Sequence, residues 1–510
     1  MSPADGAARR PARPARPAKP YRKPRRDPVR LVAYDVLRAV EERDAYANLI
    51  LPALLREARL DRRDSALATE LAYGTLRNQG SYDAILAACV DRPLREVDSP
   101  VLDVLCLGAH QILGTRIPRH AAVSTTVDLA RQVLGEGRAK FVNAVLRKVT
   151  AHDLDDWLDL VAPDPAKDPE GNLAVRHSHP EWVVSALWNS LGRWRPGTGP
   201  TEVAELLAAD NSRPEVTLVA RPGRSTPAEL TEQLAETERT SESGEAAEPE
   251  DPTDPTDHTD HTDPAAPGRW SPYAVRMLHG GDPAQLDAVR TGRAGVQDEG
   301  SQLVALALAA APLDGPDERW LDGCAGPGGK AALLGALATG RGAHLLAAER
   351  QPHRAELVAR ALNGAPGGHR IMVADSTRPG WQPGSFDRVL MDVPCSGLGA
   401  LRRRPEARWR RRPEDIASFA PLQRQLLRTA LSSVRVGGIV GYATCSPHLA
   451  ETRGIVEEVL DGGGPWQVEP VDARPLLPGV PELGEGPDIQ LWPHVHGTDA
   501  MYLALLRRTA

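Results

Sequence analysis

The chain has 510 residues, 41% hydrophobic and 25% charged, an ordinary soluble composition with length for two or three domains. Its longest apolar run is about half the roughly 20 residues of a membrane span, and the basic, Pro-rich N-terminus lacks the apolar core of a secretory signal. Five cysteines in so long a chain suit a reducing cytoplasm and exclude a disulfide framework.

The net charge of −7 conceals two opposed tracts. Residues 1–28 carry nine Lys/Arg against two Asp, and residues 232–263 carry twelve Asp/Glu against one Arg. In chain order, residues 1–27 alternate Arg, Pro, Ala and Lys and cannot pack a core, so they are expected to be a disordered arm able to touch phosphates. From 28 to 155 the apolar periodicity is helical, with helices expected at 29–42, 47–58, 62–77, 82–90, 100–113, 121–133 and 140–149. This all-helical domain carries no catalytic constellation. Residues 156–296 are expected to form a connector and a small α/β subdomain. Its His177-Ser178-His179-Pro180 has no further ligand nearby and is expected to dock, not to bind metal. The acidic, Pro/Thr/Asp/His-rich tract 232–267 is expected to be a disordered insertion within that subdomain.

From 297 to 510 strands alternate with helices: strands at 319–322, 344–348, 370–374, 386–391 and 438–443, with helices at 301–311, 329–338, 352–362, 415–434 and 449–460. This predicts a parallel, doubly wound, Rossmann-like sheet, with Met501 to Leu505 adding a last edge strand. The first strand runs into the glycine-rich turn Cys324-Ala325-Gly326-Pro327-Gly328-Gly329-Lys330 and then a helix, where backbone and helix dipole can approach a ligand closely. Acids end later strands at Glu349, Asp375 and Asp392. An acid at the spacing of Glu349 commonly binds ribose hydroxyls.

Two cysteines also stand at strand ends, Cys395 in Asp392-Val393-Pro394-Cys395-Ser396-Gly397 and Cys445 in Ala443-Thr444-Cys445-Ser446. Cys445 precedes an expected helix start at Ser446 and Pro447, which would favour its thiolate. A thiolate, an acid and a ribose-bearing ligand together suit methylation of a cytosine at C5. There a thiolate adds to C6, an acid assists at N3, and S-adenosylmethionine supplies the methyl group.

These three motifs, in this order, resemble the RsmB/Sun (Fmu) group of 16S ribosomal RNA cytosine-C5 methyltransferases. Ala47-Asn48-Leu49, Ala72-Tyr73-Gly74-Thr75-Leu76-Arg77 and Phe141-Val142-Asn143-Ala144-Val145-Leu146-Arg147 resemble the RNA-binding NusB-type helical domain that often precedes such enzymes. The resemblance covers roughly 28–230 and 268–510. It implies that Cys445 is the nucleophile, that Cys395 assists product release and that Asp392 contacts cytosine N3. It also implies that Cys324, Ala325, Gly326, Pro327, Gly328, Gly329 and Lys330 cradle the methionine part of S-adenosylmethionine. Glu349 would hold the ribose and Asp375 the adenine end. Three positions depart from the family pattern: Gly326 where Ala is usual, Glu349 where Asp is common, and Thr452 near where Asn often follows.

Just past the Pro-Cys motif, Arg402 to Arg412 holds seven arginines around Trp409. Arg403, Arg408, Trp409 and Arg411 are expected to contact phosphates and stack on a base. The expected partner is RNA, 16S rRNA by resemblance, for a monomer with no metal; no Cys/His cluster has zinc spacing. The same chemistry on tRNA or 23S rRNA is an alternative. A dehydrogenase would need a GxGxxG turn that residues 322–330 lack, and a non-catalytic NusB-like RNA-binding or antitermination factor would need neither cysteine.

Overall fold

A computed structural model of the chain describes residues 27–242, 263–278, 281–365 and 367–510. The expected basic arm therefore lies outside the described residues up to position 26. Asp27 belongs instead to the first helix, Pro28–Arg43, whose first turn it caps by accepting the Arg30 N–H at 3.1 Å. Val29, Val32, Ala33, Val36, Leu37 and Val40 form one buried face of that helix. At ~1.5–3 kcal/mol for each fully buried aliphatic side chain larger than Ala, this face outweighs the weak helix propensity of its valines.

Six further helices, Ala47–Ala58, Arg62–Arg77, Gln79–Cys89, Ser99–Leu113, Arg119–Leu134 and Glu136–Val149, complete the helical domain at the expected places. Leu154–Val161 adds to it, because Trp157 is buried in the same core and donates its indole N–H to Val149 O at 2.9 Å. Aspartate caps start this helix and the next, Pro169–Arg176, so the expected connector is mostly helical.

Within 156–296 the expected connector is larger and the expected α/β subdomain smaller. The helices Pro169–Arg176, Glu181–Trp194 and Pro200–Asn211 share a core with the catalytic sheet through Leu173, Val183, Leu187 and Leu191. Only the remainder forms a separate unit. In it β1 (Val216–Ala220), β2 (Ala265–Pro267), β3 (Ala274–Met277) and β4 (Ala294–Val296) pair antiparallel in the order β2-β3-β1-β4. The helix Pro227–Glu242 covers this sheet, with Leu230 and Leu234 buried against Leu218 and Val275. The expected disordered insertion is thereby corrected at both ends. Residues 232–242 continue the helix, since Leu230 and Leu234 share its apolar stripe, and 265–267 form β2; positions 243–262 lie outside the described residues.

The catalytic sheet contains β5 (Arg319–Asp322), β6 (His344–Glu349), β7 (His369–Val373), β8 (Phe386–Asp392), β9 (Val434–Thr444), β10 (Val468–Val471), β11 (Ile489–Gln490) and β12 (Tyr502–Arg508). Its order is β10-β12-β9-β8-β5-β6-β7, with β11 paired to β12. The strands β5 to β9 are parallel, and β8 is buried along its length until Asp392, as expected of a strand covered on both faces. The sheet is mixed, however, because β12 runs antiparallel between β9 and β10. The expected edge strand is thus interior; the edge is β10, whose Pro470 suits a strand with one unpaired side. Strand order reverses at β5, and the C-terminal ends of β5 and β8 flank the crevice where open α/β sheets bind ligands. Among the described residues no helix is long and apolar enough to cross a membrane.

Candidate active site

The turn after β5 is pinned from both sides. Gly323 N–H donates to Leu390 O of β8 at 2.9 Å, and Ala325 N–H to Ala348 O of β6 at 3.0 Å. Gly328 takes φ +110°, which a side chain would strain, and the helix Gly329–Gly340 starts directly after it. Glu349, buried at the end of β6, accepts the Gly326 N–H on Oε2 at 3.2 Å and the Gln351 N–H on Oε1 at 2.9 Å. A Cβ at Gly326 would lie 2.2 Å from Glu349 Oε2. The two departures from the family pattern are therefore a matched pair: the longer Glu349 fills the space that an alanine at 326 would need. Arg354 seals the turn by donating to Gly326 O at 2.7 Å.

Three acids stand side by side at the ends of β5 and β6 and just beyond β7. Asp375 is held by the Thr377 hydroxyl at 2.7 Å and the Thr377 N–H at 2.9 Å, which keep its carboxyl below the usual range. Asp322, missed in the sequence, is buried and uses one oxygen on the Cys324 N–H at 3.2 Å. Its Oδ2 has no hydrogen-bond partner among the described residues. Burial, reinforced by the nearby Asp392 charge, pushes its pKa up to about 7. Burial also raises the Cys324 thiol well above its ordinary value, so that residue lines the turn as a neutral group. An orphaned carboxylate oxygen beside a helix N-terminus and a glycine turn without side-chain obstruction fits a cofactor with an ammonium, a carboxylate and a ribose. S-adenosylmethionine carries all three.

The sheet brings the two cysteines together. Their Sγ atoms are 3.4 Å apart, with Cys445 just past the end of β9 and Cys395 three residues past Asp392. Hydrogen bonding from Cys395 holds the Cys445 thiol below its ordinary pKa, against burial and the Asp392 charge, and the Lys330 ammonium adds to the lowering. The same hydrogen bond, followed by burial, raises Cys395 well above its own. Cys445 is thus the thiolate side of the pair. The expected cause was wrong: no helix begins at Ser446 or Pro447, and the α-helix that follows is Arg453–Asp461. Lys330, assigned from sequence to the cofactor turn, reaches across it to Asp392 Oδ2 at 2.8 Å. Burial pulls the lysine pKa down, but Asp392 more than reverses this and leaves it raised.

Glu451 is a second residue that the sequence concealed. Fully buried, it accepts from Ser396 N–H at 2.8 Å, Ser396 Oγ at 2.5 Å, Ser446 Oγ at 2.7 Å and Gln423 Nε2 at 3.2 Å. One carboxylate thereby ties the residues that follow each cysteine. Thr452, the third departure, is buried and donates to His448 O at 3.1 Å, so the segment after Cys445 is anchored without an asparagine.

The arginine run is not a free RNA face. Arg408 is fully buried and donates to Ser178 O at 3.0 Å, Asn211 Oδ1 at 2.7 Å and Asp210 O at 3.3 Å. Arg403 is locked to Asp298 at 2.7 Å and Asp499 at 3.1 Å. Arg411 donates to Ser396 O at 3.0 Å and lies over Phe419. Trp409 is 36% exposed but packs against Gly80 of the helical domain, where a Cβ would meet its ring at 2.4 Å. Three domains converge on this run, and their carbonyls and carboxylates take up the charges a phosphate was expected to find. His179, packed 3.9 Å from the buried Asp210, belongs to the same seam, so the expected docking role of 177–180 fits.

Two family models match, one described as 16S rRNA methyltransferase RsmB/F over residues 308–507 and one as the NusB family over 27–151. The chain is 48% identical over 491 residues to Rv1407 of Mycobacterium tuberculosis strain H37Rv, named as a methyltransferase, covering 96% of this chain and 98% of that one. It is 30% identical over 434 residues to the ribosomal RNA small subunit methyltransferase B of Pseudomonas putida strain KT2440, covering 84% and 88%. The crystal structure of PH0851 superposes with a TM-score of 0.70 at 19% identity, over 95% of this chain and all of that one, and shares the fold.

Proposed function

We propose, for a chain that belongs to the RsmB/F family of ribosomal RNA methyltransferases and uses S-adenosylmethionine, that it methylates C5 of a cytosine in 16S rRNA through a covalent thiol adduct. The observation that carries this reading is the thiol pair 3.4 Å apart beside the Lys330–Asp392 ion pair. Cytosine C5 is too weakly nucleophilic to accept a methyl group unaided. Addition of the Cys445 thiolate to C6, with Asp392 and Lys330 supporting N3, leaves an electron-rich enamine at C5. When bound, S-adenosylmethionine supplies the methyl group to that carbon. A base then removes the C5 proton, the C6–S bond breaks, and the thiolate leaves. Cys395, held protonated by the same pairing, is suited to assist that last step.

The cofactor role extends over Cys324, Ala325, Gly326, Pro327, Gly328, Gly329, Glu349 and Asp375, with Asp322 added for the ammonium. Lys330 faces the thiol instead. The test is methyl transfer from labelled S-adenosylmethionine to unmodified 16S rRNA, 23S rRNA and tRNA, with bisulfite mapping of the product. One 5-methylcytosine in 16S rRNA is expected. Label at 5-methylcytosine in tRNA or 23S rRNA would overturn the substrate, and label on any other base would overturn the chemistry.

A further inference from the structure

A small cavity of about 160 Å³ lies where the small antiparallel sheet meets the catalytic domain. Five arginines line it, Arg213, Arg269, Arg276, Arg402 and Arg403, together with Glu215 and Glu299. Glu299 is committed to backbone, whereas Glu215 pairs with two of the lining arginines and leaves the lining with more arginines than acids. Glu299 accepts the backbone N–H groups of Arg269, Trp270 and Ser271. Glu215 pairs with Arg276 at 3.1 Å and, more loosely, with Arg269 at 3.5 Å. Asp298, behind Arg402 and Arg403, also accepts two backbone N–H groups on Oδ1, from Gly300 at 2.9 Å and from Asp499 at 3.0 Å, while the Asp499 carboxylate pairs with both arginines at 3.1 Å.

Two donors in this cavity are left over. The Arg402 side chain is 7% exposed, donates to Gly497 O and Asp499 at 3.1 Å each, and keeps an Nε without a hydrogen-bond partner among the described residues. The exposed Arg213 guanidinium makes no hydrogen bond or ion pair among the described residues. A buried donor without an acceptor is costly, and planar guanidinium forks match tetrahedral oxyanions. The cavity is also one layer from the thiols. Gly399 N–H donates to Cys445 O at 2.9 Å, and Ala500 N–H, next to Asp499, donates to Gly399 O at 2.8 Å.

We infer that this cavity holds one phosphodiester of the RNA strand beside the target base, gripped by Arg213, Arg269 and Arg276 over the Arg402 guanidinium that Asp499 already holds. The inference rests on RNA being the substrate and is independent of which base is methylated. A single fixed phosphate this close to the thiols would set the register of the strand, while the base is turned out of its stack.

The test is equilibrium binding of unmodified 16S rRNA to the full chain with S-adenosylhomocysteine present, across a KCl series, for wild type, Arg213→Ala and Arg213→Ala/Arg276→Ala. No turnover is needed, so a wrong base assignment would appear in product mapping and leave this curve untouched. The double variant should bind RNA roughly tenfold more weakly, with a log–log salt slope shallower by about 0.7, the value for one single-stranded phosphate. S-adenosylhomocysteine affinity and thermal midpoint should not change. An unchanged RNA affinity and slope would overturn the inference. If the double variant melts early, the Arg213→Ala curve decides alone, because that exposed side chain makes no hydrogen bond or ion pair among the described residues and acts on the fold only through the field it adds at Glu70 and Arg77. Inorganic phosphate is titrated in parallel: competition with RNA that both variants abolish is expected, and phosphate binding with an unaltered RNA slope would mark a free-anion site and overturn the RNA assignment.

Discussion

Replacing Arg408 by Ala separates two accounts of the arginine run. If the run met RNA, the variant would keep its stability and lose affinity. In the structure the side chain is fully buried, and burial lowers its pKa to about 10 despite the nearby Asp210 charge. Its guanidinium donates to Ser178 O, Asn211 Oδ1 and Asp210 O at 3.0, 2.7 and 3.3 Å. Hydrogen bonds from a charged group contribute about 1.5–3 kcal/mol each but not additively, and removing one member of a buried charged network costs about 3–5 kcal/mol. Arg408→Ala should therefore lose about 4 kcal/mol, read as a lowered urea midpoint at unchanged slope. Arg412→Ala, at an exposed position of the same run, should stay within about 0.5 kcal/mol. A loss under about 1 kcal/mol for Arg408→Ala, combined with weakened RNA binding, would refute the seam and restore the phosphate role.

The remaining expectations concern the crevice. Cys445→Ala should abolish methyl transfer and leave S-adenosylhomocysteine affinity near wild type; retained turnover would remove it as nucleophile. Cys395→Ala should accumulate an RNA–protein adduct that survives a denaturing gel, and its absence would assign product release to another group. Asp322, raised to about 7 mainly by burial, gives a pH signature. A carboxyl raised in the fold costs stability progressively as pH climbs from its ordinary value near 4 to about 7. A bound ammonium selects the ionised form, so S-adenosylhomocysteine affinity should rise up to tenfold per pH unit below 7 and level off above it. Asp322→Asn should bind weakly at every pH; a flat wild-type profile in isothermal titration would place the ammonium elsewhere.

The parts of this site that the sequence discloses are those with a backbone cause. Glycines 326, 328 and 329 mark a tight turn, with Gly328 at a φ that a side chain would strain, and apolar runs ending in Glu349, Asp392 or Cys445 locate strand C-termini. Asp322 had the same signal, an acid closing an apolar strand before the turn, and was passed over beside the more conspicuous glycines. Glu451 had none: its role depends on Ser396, Ser446 and Gln423 arriving from three elements. The arginine run misled for a related reason. Charge in a sequence suggests solvent, and only tertiary structure tells that Asp298, Asp499 and a set of helix-end carbonyls wait for it. The β10 edge was hidden by Pro470, which argues against a strand until one of its sides is known to be unpaired.

The same seam connects the RNA-binding reading of the helical domain to the chemistry. Glu406, buried, accepts the Ala47 N–H at 3.1 Å, which places a carboxylate at the start of the helix Ala47–Ala58. Arg410 donates to Val40 O and Asp44 O at 2.8 and 2.9 Å, closing the end of the helix Pro28–Arg43. Arg411, the next residue, holds Ser396 O, beside Cys395. The six residues 406–411 thus bind helical domain, arginine run and thiol loop together. A domain joined by a flexible tether could raise only the local concentration of RNA. One docked through buried charges holds any RNA it carries at a fixed distance and angle from the thiol pair, the arrangement that the proposed choice of one cytosine among many would need.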